Sequence, residues 1–285
     1  MASPFLILPD PRRLFCTRAR RFRQLADSQP SLASYLNLMA DLSDIQQGQA
    51  TDLYPRLPPD SRAGRLPLDL AAPPRPMPWC TSIRHIAEGV GAGTEPLAGI
   101  RRRIEAASDE TLESWADAFL KGDVERLDPG LALFLGVALQ IQWTLQASRQ
   151  EANASAPAES GHLCPVCGFL PVAAVLQTGG DVHGLRYLVC GLCGTGWHRP
   201  RSQCVHCGSG KEMVYYGIDG ATETVQAEAC GDCRVYLKIM NREKDTELDP
   251  WADDLASLSL DLLMAEEGYQ RLGFNPLLIP GGNTL

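Results

Sequence analysis

Four segments of the form Cys-x-x-Cys decide the fold of this chain: CPVC at residues 164–167, CGLC at 190–193, CVHC at 204–207 and CGDC at 230–233. The third segment lies 40 positions after the first, and the fourth lies 40 positions after the second. One unit, C-x2-C-x22-C-x2-C, therefore occurs twice in tandem, which indicates an internal duplication.

The thiols of these segments have the spacing of metal ligands. Two cysteines three positions apart on a tight turn can direct both sulfurs to one point, and two such turns form a tetrahedral cage suited to zinc or to a single iron ion. Glycine tolerates the positive φ that such turns often need, and it follows three of the turns, whereas Arg234 follows the fourth. We therefore predict eight metal ligands: Cys164, Cys167, Cys190, Cys193, Cys204, Cys207, Cys230 and Cys233.

The duplication and the loop lengths predict which turns share an ion. Pairing within each copy closes loops of 22 residues, whereas a cross-braced arrangement, first turn with third and second with fourth, closes loops of 36. A shorter loop loses less entropy on closure. We therefore predict tandem pairing, in which each copy of the unit holds its own ion.

Disulfides and redox thiols are the alternatives to metal. Regular Cys-x-x-Cys turns in a chain without a recognisable export signal favour metal binding. The spacing does not separate a structural zinc from a rubredoxin-like iron, because a closed four-cysteine site suits both. The two cysteines outside the repeat, Cys16 and Cys80, are predicted to be buried thiols.

The composition is typical of a soluble globular protein, and the net charge argues against a general nucleic-acid binder. The 285 residues are 45% hydrophobic and 21% charged, with a net charge of −8. No apolar run reaches the ~18–20 residues of a membrane span. A twin-arginine signal requires an apolar segment after the arginine pair, and none follows Arg12-Arg13 or Arg20-Arg21. We therefore predict a cytoplasmic protein without membrane insertion.

Residues 1–150 are predicted to form an all-helical domain that contains a Pro-rich connector at 55–78. Ser108 and the pair Asp128-Pro129 are signals for helix starts. The helix after Pro129 is apolar nearly all round, which predicts a buried central helix. No acid lies between Arg12 and Arg23, so this basic face is expected to be solvated or to dock an acidic partner.

The cysteine region is predicted to contain two small β modules. A linker at 151–162 leads to a first four-cysteine knuckle module at 163–203 and a second at 204–245, each with too little core to fold without metal. The runs between the cysteine turns predict strands at 172–176, 185–189, 213–218, 224–229 and 235–240.

Residues 246–285 are predicted to form one helix and a tail, because apolar residues from Trp251 to Tyr269 recur at helical spacing. The predicted fold class is therefore α+β. An all-helical N-terminal domain precedes tandem rubredoxin-like or zinc-ribbon-like four-cysteine metal modules and a C-terminal helix.

Charge and coordination limit what the modules can do. Residues 161–245 contain eight Lys or Arg and eight Asp or Glu, and a divalent ion with four thiolates adds about −2, whereas a nucleic-acid reader should be basic. A closed site leaves no position for water, so we predict no enzyme, no catalytic residue, no organic cofactor and no small-molecule substrate. The nearby histidines lack ligand spacing: His162, His183, His198 and His206. Two functional classes remain: an interaction scaffold stiffened by metal, and a one-electron carrier if the metal is iron.

Several motifs resemble those of the formate dehydrogenase accessory protein FdhE family. They are CPVCGFLPV at 164–172, GLRYLVCGLC at 184–193, WHRPRSQCVHC at 197–207, EACGDCRVYLKI at 228–239, ADDLASL at 252–258 and NPLLIPG at 275–281. The resemblance covers the chain from Cys164 to the C-terminus and includes all eight cysteines.

The resemblance implies a cytoplasmic maturation factor that binds the catalytic subunit of respiratory formate dehydrogenase and is needed for its assembly or activation. It also implies rubredoxin-like sites, and thus two metal ions with iron favoured over zinc. One alternative is a rubredoxin-like iron protein that transfers electrons to the immature enzyme. The other, ranked last, is a zinc-ribbon nucleic-acid binder that uses the Arg12–Arg23 face.

Overall fold

The computed structural model describes residues 4–56, 66, 68, 70, 79–90, 95–150, 161–178, 184–218, 220 and 222–278. Within these residues the helices are α1 (Leu14–Ser28), α2 (Ala33–Leu53), α3 (Trp79–Gly89), α4 (Glu95–Ala106), α5 (Asp109–Leu120), α6 (Pro129–Ala147), α7 (Ala252–Ala256) and α8 (Leu258–Glu266). The strands are β1 (Leu6–Ile7), β2 (Pro171–Leu176), β3 (Arg186–Cys190), β4 (Gly196–His198), β5 (Met213–Tyr216), β6 (Val225–Cys230), β7 (Val235–Asn241) and β8 (Gln270–Arg271). The predicted α+β class is confirmed.

Helix α6 is the centre of the helical region. Its start is the predicted one, because the Asp128 carboxylate accepts hydrogen bonds from the N–H groups of Gly130 and Leu131, at 2.9 and 3.2 Å. Every residue from Leu131 to Ala147 is buried. Among the described residues, α6 alone is long and apolar enough to cross a membrane, and 94% of its apolar window is buried inside the protein. It is therefore a core helix.

Both cysteine modules belong to one sheet with the strand order β1-β4-β3-β2-β7-β6-β5, and β8 also pairs with β7. The five predicted strands are present within two residues of their expected ends. The modules are joined by the parallel pair β2–β7, in which Ala174 lies beside Ile239. The two predicted β modules thus share one sheet, because the last strand of the second copy extends the sheet of the first.

One hydrophobic core runs through the helices and the sheet. It includes Phe22 of α1, Trp143 of α6, Val175 of β2 and Trp251, just before α7. The N-terminal segment also enters the sheet, since β1 pairs with β4 at the edge. The helical region and the first module are therefore packed together.

Helix α1 directs several of its arginines at the C-terminal segment. Arg21 forms ion pairs with Asp253 at 2.6 Å and with Asp245 at 2.8 Å, and Arg20 pairs with Glu247 at 2.7 Å. The expected solvated basic face is present at Arg12, Arg13, Arg20 and Arg23, which are exposed, whereas Arg18 is buried and Arg21 is turned toward acids of the same chain.

Arg18 is the most deeply placed of these arginines, with 0% exposure. It donates to the Gln140 amide oxygen of α6 at 3.0 Å and lies 3.8 Å from the Trp251 ring centroid. Burial lowers the pKa of Arg18 to about 10, although the nearby Asp249 acts in the opposite direction. The guanidinium remains a cation at neutral pH and connects α1, α6 and the C-terminal segment.

The C-terminal region predicted as one long helix is divided at Ser257 into α7 and α8. The Lys238 ammonium of β7 donates to the carbonyls of Asp254 and Ser257, at 2.9 and 3.0 Å. In a continuous helix these carbonyls would accept from N–H groups four positions later, whereas here they accept from Ser257 and Leu260, three positions later, at 3.3 and 3.1 Å. The break rotates the following residues, so Leu262 of the predicted apolar face is 69% exposed.

Other expectations outside the repeats have mixed outcomes. Most of the Pro-rich connector at 55–78 and all but two residues of the linker at 151–162 lie outside the described residues. Leu68 of the connector is buried, and its N–H donates to the Val166 carbonyl at 2.9 Å, so the connector reaches the first cysteine turn. Cys80 is buried as predicted, whereas Cys16 is exposed on α1.

Candidate metal centres

The eight cysteines of the repeats form two groups of four free thiols, and within each group all sulfurs lie within 4.8 Å of one another. We call these groups the first centre (Cys164, Cys167, Cys190 and Cys193) and the second centre (Cys204, Cys207, Cys230 and Cys233). Each centre takes both of its turns from one copy of the repeat, which is the grouping that tandem pairing predicts.

The distances between sulfurs fit a tetrahedral ion. In the first centre the Cys167–Cys190 and Cys164–Cys193 sulfurs are 3.4 and 3.7 Å apart. In the second centre the two corresponding distances are both 3.7 Å. A tetrahedron with metal–sulfur bonds of about 2.3 Å has edges of about 3.8 Å. Each group can therefore hold one zinc or iron ion.

The electrostatics of the first centre also favour a cation. Burial, together with the neighbouring cysteines, raises the pKa of the Cys167 thiol well above its usual value. Burial acts on Cys193 as well, but hydrogen bonds with the other cysteines and with the Thr195 hydroxyl outweigh it and lower that pKa. Four thiolates confined in this volume require a compensating positive charge, which a metal ion supplies.

Each Cys-x-x-Cys turn is closed by a residue with positive φ. Gly168, Gly194 and Gly208 have φ angles of 81°, 76° and 76°, as predicted for three of the turns. Arg234 closes the fourth turn at φ 57° and is the only such non-glycine residue in the described part of the chain. In every turn this residue donates its N–H to the carbonyl of the first cysteine, at 2.8 to 3.2 Å.

The side chain of Arg234 explains the departure from glycine. Its guanidinium donates to the Glu267 carbonyl at the C-terminal end of α8 and lies 3.8 Å from the centroid of the Tyr269 ring. A cation at a helix C-terminus and over an aromatic face is stabilising. These contacts offset the ~1–2 kcal/mol that a left-handed conformation costs a non-glycine residue. They also attach the fourth turn to the C-terminal helices.

The first centre lies inside the main core. All four of its cysteines are buried there, among side chains of the helices and the sheet. The carbonyl of Gly191, within the second turn, accepts hydrogen bonds from the Gln140 amide at 2.8 Å and from the Trp251 indole at 2.9 Å. The first centre is therefore held by α6 and by the C-terminal segment together.

The second centre lies outside this core. Its cysteines belong to neither of the two hydrophobic clusters of the described residues. Cys207 is exposed and Cys233 is half-buried, whereas Cys204 and Cys230 are buried. The ring of His206, beside Cys207, lies near that of His162, with 5.4 Å between the centroids and 41° between the ring planes. The two copies of one repeat thus place similar sulfur groups in different surroundings.

Histidines and carboxylates take no part in the two groups. Among the described residues, only cysteines lie within ligand distance in either centre. His162, His198 and His206 lie outside the groups, and His183 is not among the described residues. Four sulfurs would occupy all coordination positions of a tetrahedral ion, so neither centre offers an open coordination position.

Sequence reasoning missed the residues that support the first centre, although two motifs contained the signal. Asp254 of ADDLASL accepts hydrogen bonds from Arg271 at 2.7 Å and from Asn275 of NPLLIPG at 2.8 Å. Asn275 also donates to the Trp251 carbonyl at 3.1 Å. The motifs therefore hold Trp251 in position beneath the Cys190–Cys193 turn.

Fold and site together define a class of protein in which two closed four-cysteine cages share one sheet that packs on a helical region. Comparison with known proteins identifies the family. Family models described as "FdhE, N-terminal", "FdhE, central domain" and "FdhE, C-terminal domain" match residues 3–160, 163–201 and 202–278.

Individual relatives agree with these matches. "Protein FdhE homolog" of Klebsiella pneumoniae is 37% identical, with 98% of this chain and 93% of that protein covered. "Protein FdhE" of Salmonella arizonae is 37% identical, with 98% and 92% covered. The crystal structure of the FdhE protein from Pseudomonas aeruginosa matches with a TM-score of 0.83 and 32% identity, covering 98% of this chain and 100% of that one. The chain belongs to the FdhE family and is a formate dehydrogenase accessory protein.

Proposed function

We propose that this chain acts in the cytoplasm, where it binds the catalytic subunit of respiratory formate dehydrogenase and is needed for its assembly or activation. The observation that carries the proposal is the FdhE match over 98% of the chain. In this proposal the eight repeat cysteines ligate two metal ions, iron in preference to zinc. The chain itself is not an enzyme.

The sulfur groups support a non-catalytic role. Four cysteine ligands leave no coordination position at which a water or a substrate could be activated. What such an ion contributes is folding free energy, because the site is absent from the unfolded chain. Metal in both centres would therefore stabilise a binding surface rather than perform chemistry.

Exposed apolar side chains on the second module support binding of another protein. Strand β5 lies at the edge of the sheet, where Val214 is 43% exposed and Tyr215 is 37% exposed. Ile218, just beyond the strand, is 36% exposed. Edge strands and apolar surfaces of this kind are places where a second chain can pair or pack.

Deletion of the gene tests the proposal. We expect formate dehydrogenase activity to be lost while synthesis of the catalytic subunit continues, and a plasmid copy of the wild-type gene to restore activity. The tagged protein should co-purify with the catalytic subunit, and elemental analysis should give two metal ions per chain. Normal formate dehydrogenase activity in the deletion strain would reject the proposed function.

A rubredoxin-like redox protein is the second candidate, and the exposure of Cys207 favours it. A solvent-facing sulfur ligand brings the second centre close to an electron-transfer partner. Aerobic purification at mild pH tests this second candidate. Electron transfer requires a red protein with thiolate-to-iron charge-transfer absorption, which the first proposal also allows, whereas a colourless zinc protein excludes electron transfer.

The structure gives little support to the alternative of a nucleic-acid-binding protein. That alternative requires the arginines between Arg12 and Arg23, yet Arg20 and Arg21 are paired with acids of the chain and Arg18 is buried. Affinity for nucleic acid that falls steeply with salt would be needed to restore this alternative.

A further inference from the structure

We infer that the two centres are chemically unequal: the second centre exchanges a ligand with small thiols in solution, through displacement of Cys207, whereas the first centre does not exchange. The inference rests on the metal ligation put forward under the proposed function. It goes beyond that function because the four-cysteine spacing is the same in both copies and predicts equal behaviour.

Access to the sulfurs differs between the centres. Every cysteine of the first centre is buried, whereas Cys207 in the second is exposed and Cys233 is half-buried. Cys204 and Cys230 remain buried, so the open side of the second centre is the side that carries Cys207. A small donor can therefore reach the second centre without any opening of the fold.

The space beside equivalent turns shows the same difference. A Cβ placed on Gly168 would lie 2.9 Å from a methyl carbon of Leu66, and one on Gly194 would lie 3.0 Å from a methyl carbon of Leu14. A Cβ on Gly208, which closes the turn of Cys207, would meet nothing within 4 Å. The closing glycines of the first centre are covered by other elements, whereas Gly208 is open, although Val205 of the same turn packs in the main core.

The second module has attachments that do not depend on its ion. Strand β6 pairs with β7 over five residue pairs, from Val225–Met240 to Ala229–Tyr236, and β7 pairs with β2. Leu260 and Met264 of α8 pack in a small cluster with residues of β6 and β7. Exchange at the second centre therefore leaves most of the sheet in place, whereas opening of the first centre would disrupt the main core.

The exchange is a ligand substitution that balances without an oxidant or a reductant. The sulfur of an incoming thiol forms a bond to the ion as the bond from the Cys207 sulfur breaks. The proton of the incoming thiol passes to the released Cys207 thiolate. The number of thiolates around the ion, and hence its charge balance, stays the same.

Metal release from the full-length, metal-loaded protein tests the inference. The chromogenic chelator 4-(2-pyridylazo)resorcinol is added with and without glutathione, and release is followed by absorbance. We expect two phases of one equivalent each, with the first at least ~10-fold faster because release from the first centre requires local opening of the core. Glutathione should accelerate the fast phase only.

Alkylation assigns the phases to centres in the wild-type protein. Iodoacetamide is added during release, and mass spectrometry reports which cysteines are labelled. Cys207 and the other ligands of the second centre should be labelled in the fast phase, and those of the first centre only in the slow phase. The variant Cys207→Ser should lose the glutathione-dependent acceleration while it keeps the slow phase and its circular dichroism spectrum.

Two results would overturn the inference and leave the proposed function intact. One is release of both equivalents at the same rate, and the other is labelling of the first-centre cysteines before those of the second. A protein purified from its own host under reducing conditions without any bound metal would instead refute the ligation on which both statements rest.

Discussion

Asp254 provides a quantitative test of how the C-terminal segment holds the sheet. Its carboxylate is completely buried, accepts from Arg271 at 2.7 Å and Asn275 at 2.8 Å, and pairs with Lys238 at 3.2 Å. Burial raises the pKa of Asp254, but Arg271 and Lys238 more than offset this effect and hold that pKa below its usual value. The carboxylate is therefore ionised and fully paired at neutral pH.

The variant Asp254→Ala should lower the free energy of unfolding by about 3–5 kcal/mol, the range found when one partner of a buried pair is removed. The variant loses the hydrogen bonds that Arg271 and Asn275 donate to the charged carboxylate, and bonds of this kind are worth ~1.5–3 kcal/mol each. The loss is limited because Lys238 and Arg271 keep Asp261 as a partner, at 2.6 and 3.3 Å.

Urea unfolding of the metal-loaded protein, followed by tryptophan fluorescence, measures the change as a shift in midpoint at constant slope. The matched control is Asp245→Ala. Asp245 also pairs with an arginine, Arg21, at 2.8 Å, but its side chain is 30% exposed and Arg21 keeps Asp253. We expect about 1 kcal/mol or less for this control. If Asp254→Ala costs no more than Asp245→Ala, the argument from the buried network is refuted.

Three further predictions concern pH and the cysteine turns. The wild type should lose its stability advantage over Asp254→Asn as the pH falls below 3.8, the ordinary pKa of an aspartate. The reason is that a carboxyl whose pKa is lowered in the folded state stabilises the fold only while it is ionised. Urea midpoints measured across that pH range test this. Gly194→Ala should melt below Gly208→Ala, since both glycines have φ of 76° but only the former also meets Leu14, which adds about 1–3 kcal/mol of overpacking; equal melting temperatures would contradict this. Arg234→Gly should be more stable to urea than Arg234→Ala by about 1 kcal/mol, because both lose the same contacts but only glycine relieves the positive φ, and a more stable alanine variant would disprove the strain.

Features with local causes were predictable from the sequence. Asp128 caps α6 through N–H groups two and three positions later, and Ser108 caps α5 through the N–H of Thr111 at 3.2 Å. The positive φ of Gly168 closes a turn between residues four positions apart. A pattern of neighbouring residues contains all the groups that such contacts need.

Features that depend on distant partners were not predictable in the same way. Strands β1 and β8 have two residues each, too few to show an alternating pattern, and exist because β4 and β7 offer edges to pair with. The break at Ser257 depends on Lys238, which belongs to another element of the sheet. The ion pairs of Arg20 and Arg21 were not visible in the sequence because their acidic partners, Glu247 and Asp245, lie more than two hundred positions away.

The sequence by itself determined that eight sulfurs gather as two groups of four, because the repeat and its short loops leave tandem closure as the least costly arrangement. Only the tertiary structure decided that one group is enclosed and the other faces solvent. The reason is that cysteine spacing contains no information on what packs against a turn. Gln140 and Trp251 reach the carbonyl of Gly191 from 51 positions before it and 60 positions after it, whereas a Cβ on Gly208, which closes the turn of Cys207, would meet nothing within 4 Å.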